Sequence, residues 1–374
     1  MSKKICTQKY AKDEILKFCL LMLQIVIFSF AEIFFRVVLF FSESMRSGSA
    51  FAMLSGESRK DHTENRKKNM QQSDFENIVK QIGTVILGKD EQIRLALTCL
   101  FAQGHLLIQD LPGIGKTTLA KVLSKCLGLS FRRVQFTSDM LPGDILGVSV
   151  FEQKNNIFVF HPGPIFTQVL LADEINRATP KTQSALLEAM EEQQVTTEGA
   201  TRPLETPFFV IATQNPLEQA GTYPLPESQL DRFLMRIEIG YPDRTAEKKL
   251  LTGEGADHIL TKMDSCLMTG SVREIQEKVQ QVRASDAFIA YLQDILDYTR
   301  TAAHFHVGLS PRAGLALLRA SRSWAYCHGR EYVIPEDLQK IMPWVVSHRL
   351  RSAENLSEFP RDRLMSLLLE VPIP

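Results

Sequence analysis

Short apolar runs alternate with segments of helical periodicity between Gly104 and Tyr241. Such alternation predicts a parallel sheet covered by helices. The expected strands are Leu106–Gln109, Arg133–Phe136, Gln168–Ala172, Phe208–Ala212 and Met235–Ile239. From Pro242 onward helical patterns dominate, and the expected helices are Val272–Val282, Ala287–Thr301, Pro311–Cys327 and Pro335–His348. The pattern therefore predicts an α/β domain followed by an all-helical domain.

A glycine-containing loop follows the first predicted strand and reads Asp-Leu-Pro-Gly-Ile-Gly-Lys-Thr-Thr, residues 110–118. Its glycines let backbone N–H groups turn inward and, with the next helix N-terminus, cradle phosphates. Lys116 is expected to reach the β- and γ-phosphates, and Thr117 to help hold Mg²⁺. The general pattern begins with Gly, where this chain has Asp110. The candidate ATP-binding residues are Pro112, Gly113, Ile114, Gly115, Lys116, Thr117 and Thr118.

Polar side chains follow two other predicted strands. Asp173 and Glu174 end the run that begins at Gln168, and Asn215 comes shortly after Ala212. Catalytic groups collect at the carboxyl ends of parallel strands. We therefore expect Asp173 to bind Mg²⁺, Glu174 to orient and polarise the attacking water, and Asn215 to sense the γ-phosphate.

An arginine stands at the start of a predicted helix. Ser310, Pro311 and Arg312 read as the N-cap and first two positions of a helix that ends near Cys327, with Gly329 beyond it. Its place in the first turn predicts that Arg312 reaches across a cleft to ATP.

Composition and charge narrow the class of protein. The 374 residues include 43 Lys+Arg and 43 Asp+Glu, so the formal net charge is zero, which argues against general attraction to nucleic acid or anionic lipid. The six cysteines are scattered without a C-x-x-C pair. This spacing argues against a zinc site or a disulfide framework and favours a reducing, intracellular location.

The first 72 residues form an extension with a different composition. Residues 15–41 are predominantly apolar and long enough to cross a bilayer, whereas Ser55 to Gln72 read as a disordered linker. Three interpretations stay open: translation that begins at Met53 or Met70, an anchor on the membrane surface, and a true span. Lysines before the apolar segment favour a cytoplasmic N-terminus. A span would therefore put the ATP site outside the cytoplasm.

Three longer segments resemble the MoxR family of AAA+ ATPases. They are Leu-Leu-Ala-Asp-Glu-Ile-Asn-Arg-Ala with its continuation to Glu192 (170–192), Ala-Thr-Gln-Asn-Pro (212–216) and Tyr-Pro-Leu-Pro-Glu-Ser-Gln-Leu-Asp-Arg-Phe (223–233). The resemblance covers roughly Phe75 to Pro372. It implies a P-loop AAA+ core with strand order 5-1-4-3-2 and an all-helical lid. After the extension at residues 1–72, which the resemblance does not cover, the expected domains are 73–240 (α/β domain) and 241–374 (lid). A β-hairpin insert is expected near residues 147–161, with its phenylalanines either in the core or gripping a client.

The resemblance also assigns roles. It implies that residues 113–118 are the Walker A loop, Asp173 and Glu174 the Walker B pair, Asn215 sensor 1 and Arg312 sensor 2. It implies a ring, expected to be a hexamer, in which Arg232 is the arginine finger for the neighbour's ATP; Arg236 and Arg177 are the alternatives.

The function implied is that of a chaperone-like ATPase that remodels or matures protein clients, together with a partner that has a von Willebrand factor A domain. Two alternatives stay open: a nucleic-acid-stimulated motor and a scaffold that binds ATP without hydrolysing it. The expected location is cytoplasmic, with membrane association only through residues 15–41.

Overall fold

The computed structural model describes residues 72–216, 221–252, 256–268 and 270–373. The hypotheses about the amino-terminal extension, including its apolar segment 15–41, lie outside these residues. Within the described ranges, no helix is both long and apolar enough to span a membrane.

The strands and helices are named along the chain as follows. The strands are β1 (Leu106–Gln109), β2 (Phe131–Gln135), β3 (Gly147–Glu152), β4 (Ile157–Pro162), β5 (Val169–Asp173), β6 (Gln194–Thr197), β7 (Ala200–Pro203), β8 (Phe209–Gln214) and β9 (Met235–Ile237). The helices are α1 (Gln72–Gly83), α2 (Asp90–Phe101), α3 (Lys116–Cys126), α4 (Pro142–Leu146), α5 (Pro180–Glu192), α6 (Glu227–Leu230), α7 (Arg244–Thr252), α8 (Ala256–Lys262), α9 (Ser271–Gln281), α10 (Asp286–Thr301), α11 (Pro311–Cys327), α12 (Pro335–Val346) and α13 (Arg361–Leu368).

A five-stranded parallel sheet forms the centre of the described α/β part, in the order β2-β5-β8-β1-β9. Counting only these five strands along the chain, the order is 2-3-4-1-5, which is the predicted 5-1-4-3-2 read from the other edge. Successive residues point to opposite faces, so Leu106 and Ile108 join one apolar core and Leu107 joins the other. The predicted fold class is therefore confirmed.

Two antiparallel hairpins project from this sheet. β3 pairs with β4, and Phe151 packs against Phe158 with ring centroids 5.2 Å apart. Phe158 is nevertheless 72% exposed, whereas Phe160 is half-buried and lies under the Arg202 guanidinium. The second hairpin, β6 with β7, was not predicted because its short strands are mostly polar.

The carboxyl-terminal helices pack against the α/β part through α2 and β9. Gln276 of α9 donates to the Leu100 carbonyl, and Ser323 of α11 donates to the Thr98 carbonyl, at 2.7 and 2.8 Å. Helix α11 begins as predicted, because the Ser310 hydroxyl accepts from the Ala313 N–H at 3.1 Å. The helical part is thereby held against the side of α2, near the amino end of β1.

A disulfide joins Cys126, at the end of α3, to Cys266, with their Cα atoms 5.2 Å apart. The cysteine spacing argued against disulfides, and for this pair that expectation was wrong, because the two residues lie 140 positions apart in sequence. Only the packing of the segment after α8 against α3 brings them together; the Cys266 N–H donates to the Cys126 carbonyl at 2.7 Å. Sequence spacing contains no trace of such a contact.

The buried His105 predicts a loss of stability in acid. Its Nδ1 accepts from the Val210 N–H at 3.0 Å, its Nε2 lies 3.2 Å from the Met190 carbonyl, and burial lowers its pKa to about 4. In the unfolded chain the pKa of His105 is near 6.5, so the unfolded chain takes up the proton first as pH falls. The stabilisation by neutral His105 is therefore fully present above pH 6.5 and is lost as pH falls towards 4. Between pH 7 and pH 5 the loss should be about 2 kcal/mol of unfolding free energy.

Urea unfolding of the wild type, His105→Gln and His161→Gln at pH 7 and pH 5 measures this contribution. The exposed His161 provides the matched control. His105→Gln should show a smaller fall in unfolding free energy between the two pH values than the other two proteins. An equal fall in all three would contradict a neutral, buried His105.

Candidate functional site

The phosphate loop lies between the end of β1 and the start of α3. Gly113 and Gly115 have φ of +84° and +95°, a conformation that residues with a Cβ rarely adopt. Helix α3 begins at Lys116, directly after Gly115, so its free N–H groups face the loop. Lys116 is buried, and its Nζ donates to the Asp110 carbonyl at 2.7 Å across the loop. The loop has the geometry of an anion cradle.

Asp110, the departure from the general loop pattern, anchors the loop. Its Oδ2 accepts from the backbone N–H groups of Ile239 and Gly240 at 2.7 and 2.6 Å, and its Oδ1 accepts from that of Leu111 at 2.8 Å. A glycine would leave these three donors without this partner. The carboxylate therefore fixes the start of the loop to the chain leaving β9.

The two acidic residues lie at the carboxyl end of β5. Asp173 is buried; its Oδ1 accepts from the Thr213 hydroxyl at 2.6 Å and its Oδ2 from Arg133 Nη2 at 2.6 Å. The Thr213 hydroxyl in turn accepts from the Glu174 N–H at 2.9 Å. Thr213 thus fixes both acids to β8, a role that the sequence interpretation missed.

Glu174 is held beside the site in a strained backbone conformation. Its φ and ψ are 57° and 49°, which is uncommon for a residue with a side chain. The carboxylate accepts from Gln135 Nε2 at 2.7 Å and pairs with Arg177 at 3.1 Å. Arg133 and Gln135 both stand on β2 beside β5, so they were visible in sequence only as polar residues on a predicted strand.

Asn215 lies one residue beyond β8 and is buried. β8 pairs with both β1 and β5, and the Asp110 N–H donates to the Gln214 carbonyl at 3.1 Å. The structure therefore brings the phosphate loop, Asp173, Glu174 and the Asn215 position to the same edge of the sheet. This juxtaposition agrees with the sequence-predicted cluster.

The donor set at this edge suits Mg²⁺. Magnesium prefers hard oxygen ligands and is commonly held by one or two protein groups together with substrate phosphates and water. Thr117 follows the loop lysine, and Asp173 provides a carboxylate. Arg133 donates to one carboxylate oxygen of Asp173. Asp173 would therefore hold Mg²⁺ through a water molecule, or directly once Arg133 has moved away.

An apolar cavity of about 450 Å³ adjoins the loop at Pro112–Gly115. Its other walls include Val85, Ile86, Tyr241 and Leu250. Tyr241 and Leu250 are 72% and 50% exposed, although both are large and apolar. A cavity of this kind beside a phosphate cradle fits a nucleoside base. No periodic pattern in the sequence indicated this cavity, because its walls come from four separate segments.

Two predicted site residues lie elsewhere. Arg232 and Arg312 both pair with Glu191 at the end of α5, Arg232 at 3.0 Å. They line a pocket with Gly104 and His105, which directly precede β1. The phosphate loop follows the other end of β1. Because the four residues of β1 span about 13 Å, the strand separates this pocket from the loop.

The structure thus places Arg312 beside Glu191 and away from the phosphate loop of its own chain, and its contact with ATP stays a prediction. This placement arises because α11 starts beside the end of α5, where Glu191 takes the guanidinium. The two alternatives to Arg232 are also engaged within the chain. Arg236 is buried between Gln109 and Glu358, and Arg177 pairs with Glu174.

Comparisons with known proteins agree with this geometry. Residues 105–235 match the family described as "ATPase family associated with various cellular activities (AAA)", and residues 297–365 match an AAA lid domain. The chain is 45% identical over 272 residues to the uncharacterized protein YeaC of Bacillus subtilis, covering 73% of this chain and 85% of YeaC. It is 38% identical over 285 residues to the Chaperone MoxR1 of Mycobacterium tuberculosis, covering 74% and 75%. A crystal structure of a "putative ATPase" from Cytophaga hutchinsonii superposes with a TM-score of 0.73 and 33% identity, covering 80% of this chain and 94% of that one.

Proposed function

The chain belongs to the MoxR family of AAA+ ATPases, and we propose that it hydrolyses ATP within a ring of its own copies in order to remodel client proteins. The observation that carries the proposal is the meeting of the phosphate loop with Asp173 and Glu174 at one edge of the sheet. A cradle for phosphates and a pair of carboxylates are the parts that hydrolysis of ATP requires.

In this proposal the loop N–H groups and Lys116 hold the β- and γ-phosphates. Thr117 and Asp173 would hold Mg²⁺, which neutralises charge that develops on the phosphates. Glu174 orients the attacking water and accepts its proton once its carboxylate leaves Gln135. Asn215 donates to the γ-phosphate, and the apolar cavity takes the adenine.

A ring of six copies is part of the proposal. Arg232 and Arg312 lie away from the phosphate loop of their own chain, which favours their use on the ATP of a neighbour. The name of the mycobacterial relative, Chaperone MoxR1, supports a chaperone-like role. We further propose a partner with a von Willebrand factor A domain, as the family resemblance implies. We also propose a cytoplasmic location, where ATP is available to the site.

Two other functions remain as outcomes of the test. A nucleic-acid motor is disfavoured by the zero net charge, and a non-hydrolysing scaffold is disfavoured by the presence of Lys116, Asp173, Glu174 and Asn215.

Steady-state ATP hydrolysis by the full chain, in Mg²⁺ and in EDTA, tests the proposal. We expect Mg²⁺-dependent turnover that rises more steeply than protein concentration, because each site needs a neighbour.

Suppression of aggregation of a chemically unfolded protein, compared in ATP and ADP, tests remodelling. Turnover that requires added DNA would favour the motor, and ATP binding without turnover would favour the scaffold.

A further inference from the structure

A buried arginine lies between the end of β1 and the helical part. Arg236 of β9 is only 8% exposed, and it stands opposite Leu107 in the register of β1 with β9. Its Nη1 donates to Gln109 Oε1 at 2.9 Å and to Glu358 Oε1 at 2.7 Å. A buried guanidinium is costly unless a carboxylate neutralises it, and Glu358 provides that carboxylate.

The contact with Gln109 lies at the start of the phosphate loop. Gln109 is the last residue of β1, and Asp110 follows it directly. The Asp110 carboxylate accepts from the N–H groups of Ile239 and Gly240, which follow Arg236 in the same segment of chain. The segment that contains β9 therefore holds both the end of β1 and the first residue of the loop. A shift of Arg236 would be passed to both.

The contact with Glu358 comes from the helical part. Glu358 ends a loop between α12 and α13, residues 351–358, that is closed by a backbone bridge between Arg351 and Glu358. A second bridge joins Ser352 to Phe305, and the His306 N–H donates to the Arg351 carbonyl at 3.0 Å. The 351–358 loop is thus built on the segment after α10, although one of its carboxylates reaches β9.

Glu358 neutralises two arginines at once. Its Oε1 also lies 2.6 Å from Arg351 Nη1. Burial acts to raise the pKa of Glu358, but the hydrogen bonds and charges of Arg236 and Arg351 outweigh it and hold the pKa below its usual value. Without this charge the two guanidinium groups would repel each other. The 351–358 loop would then lose its attachment to β9.

We propose that Glu358 is a positioning residue for ATP binding, because it joins the 351–358 loop to the start of the phosphate loop through Arg236 and Gln109. The inference rests on the proposed ATPase function. Coupling between two sites is reciprocal. If the contact of Glu358 with Arg236 favours the loop geometry that binds ATP, bound ATP must favour that contact by the same factor. The 351–358 loop therefore senses the nucleotide without touching it.

Binding of a non-hydrolysable ATP analogue in Mg²⁺ measures one side of this coupling. Glu358→Gln in the full chain should raise the Kd about fivefold or more, the lower end of couplings between sites. Arg236→Gln should have a similar effect, and the double variant should bind no worse than either single variant, because both changes remove the same contact. Glu354→Gln, at a 73% exposed acid of the same loop, should bind as the wild type.

Amide hydrogen exchange of residues 351–358 measures the other side. In the wild type the analogue should slow this exchange about fivefold, and in Glu358→Gln the rate should be the same with and without nucleotide. A purely structural Glu358 would change the free energy of unfolding but would leave the exchange of this loop unaffected by nucleotide in the wild type.

Three results would overturn the inference: a wild-type loop whose exchange ignores the analogue, a Glu358→Gln variant that binds it as tightly as the wild type, and losses of affinity that add in the double variant. ATP turnover together with any of these would leave the proposed hydrolase standing. The expected affinity and exchange changes without turnover would support the inference and reject the hydrolase.

Discussion

Replacing Glu174 by Gln should lower the steady-state rate of ATP hydrolysis by about a hundredfold or more, the usual contribution of a general base. The amide keeps the size of the side chain and its hydrogen bond with Gln135, but it cannot accept the proton of the attacking water. ATP affinity should change little, because the phosphate loop and Lys116 are untouched. Turnover and nucleotide binding measured on the same preparation separate the two effects.

Glu198→Gln is the matched control, since Glu198 is exposed in the turn of the hairpin formed by β6 and β7. It should behave as the wild type. Full turnover in the Glu174→Gln variant would show that another group activates the water. Loss of turnover together with loss of ATP binding would show instead that the substitution disturbed the loop.

The local part of the site was predictable from sequence because it depends on short-range geometry. Gly113 and Gly115 stand where the loop requires positive φ, and Asp173 stands where a buried strand ends. Parallel strands bring their carboxyl ends to one edge, so the cluster with Asn215 followed from the predicted strands. The strand order, in contrast, was expected only from the family resemblance.

Contacts between distant segments were beyond the sequence interpretation. Three such contacts depend on how separate elements pack. They are the disulfide between Cys126 and Cys266, the hydrogen bonds of Asp110 with the chain after β9, and the ion pair of Arg312 with Glu191. Arg312 illustrates the difficulty. Its position at the start of α11 was predicted correctly from the Ser310 cap, but the cap does not determine which part of the α/β domain the helix meets.

A second large loss of ATP turnover is expected when Arg232 is replaced. Arg232→Ala should reduce turnover about a thousandfold, the lower end of what arginine fingers contribute. Arg232→Lys should rescue little of it, because a single ammonium cannot replace the planar guanidinium fork. Arg273→Ala, at a 67% exposed arginine on α9, is the control and should retain full activity.

Mixing two inactive variants tells whether Arg232 acts on a neighbour. A ring made from equal amounts of Arg232→Ala and Glu174→Gln has, at about one interface in four, an intact Glu174 facing an intact Arg232. Turnover should therefore reappear in the mixture although each variant alone is inactive. A mixture that shows only the average of the two residual rates, in samples that sedimentation shows to be assembled, would place the action of Arg232 within its own chain. Recovery would instead mean that the phosphate loop of one subunit and the arginine of the next form one catalytic site, which explains why the arginine lies so far from its own loop.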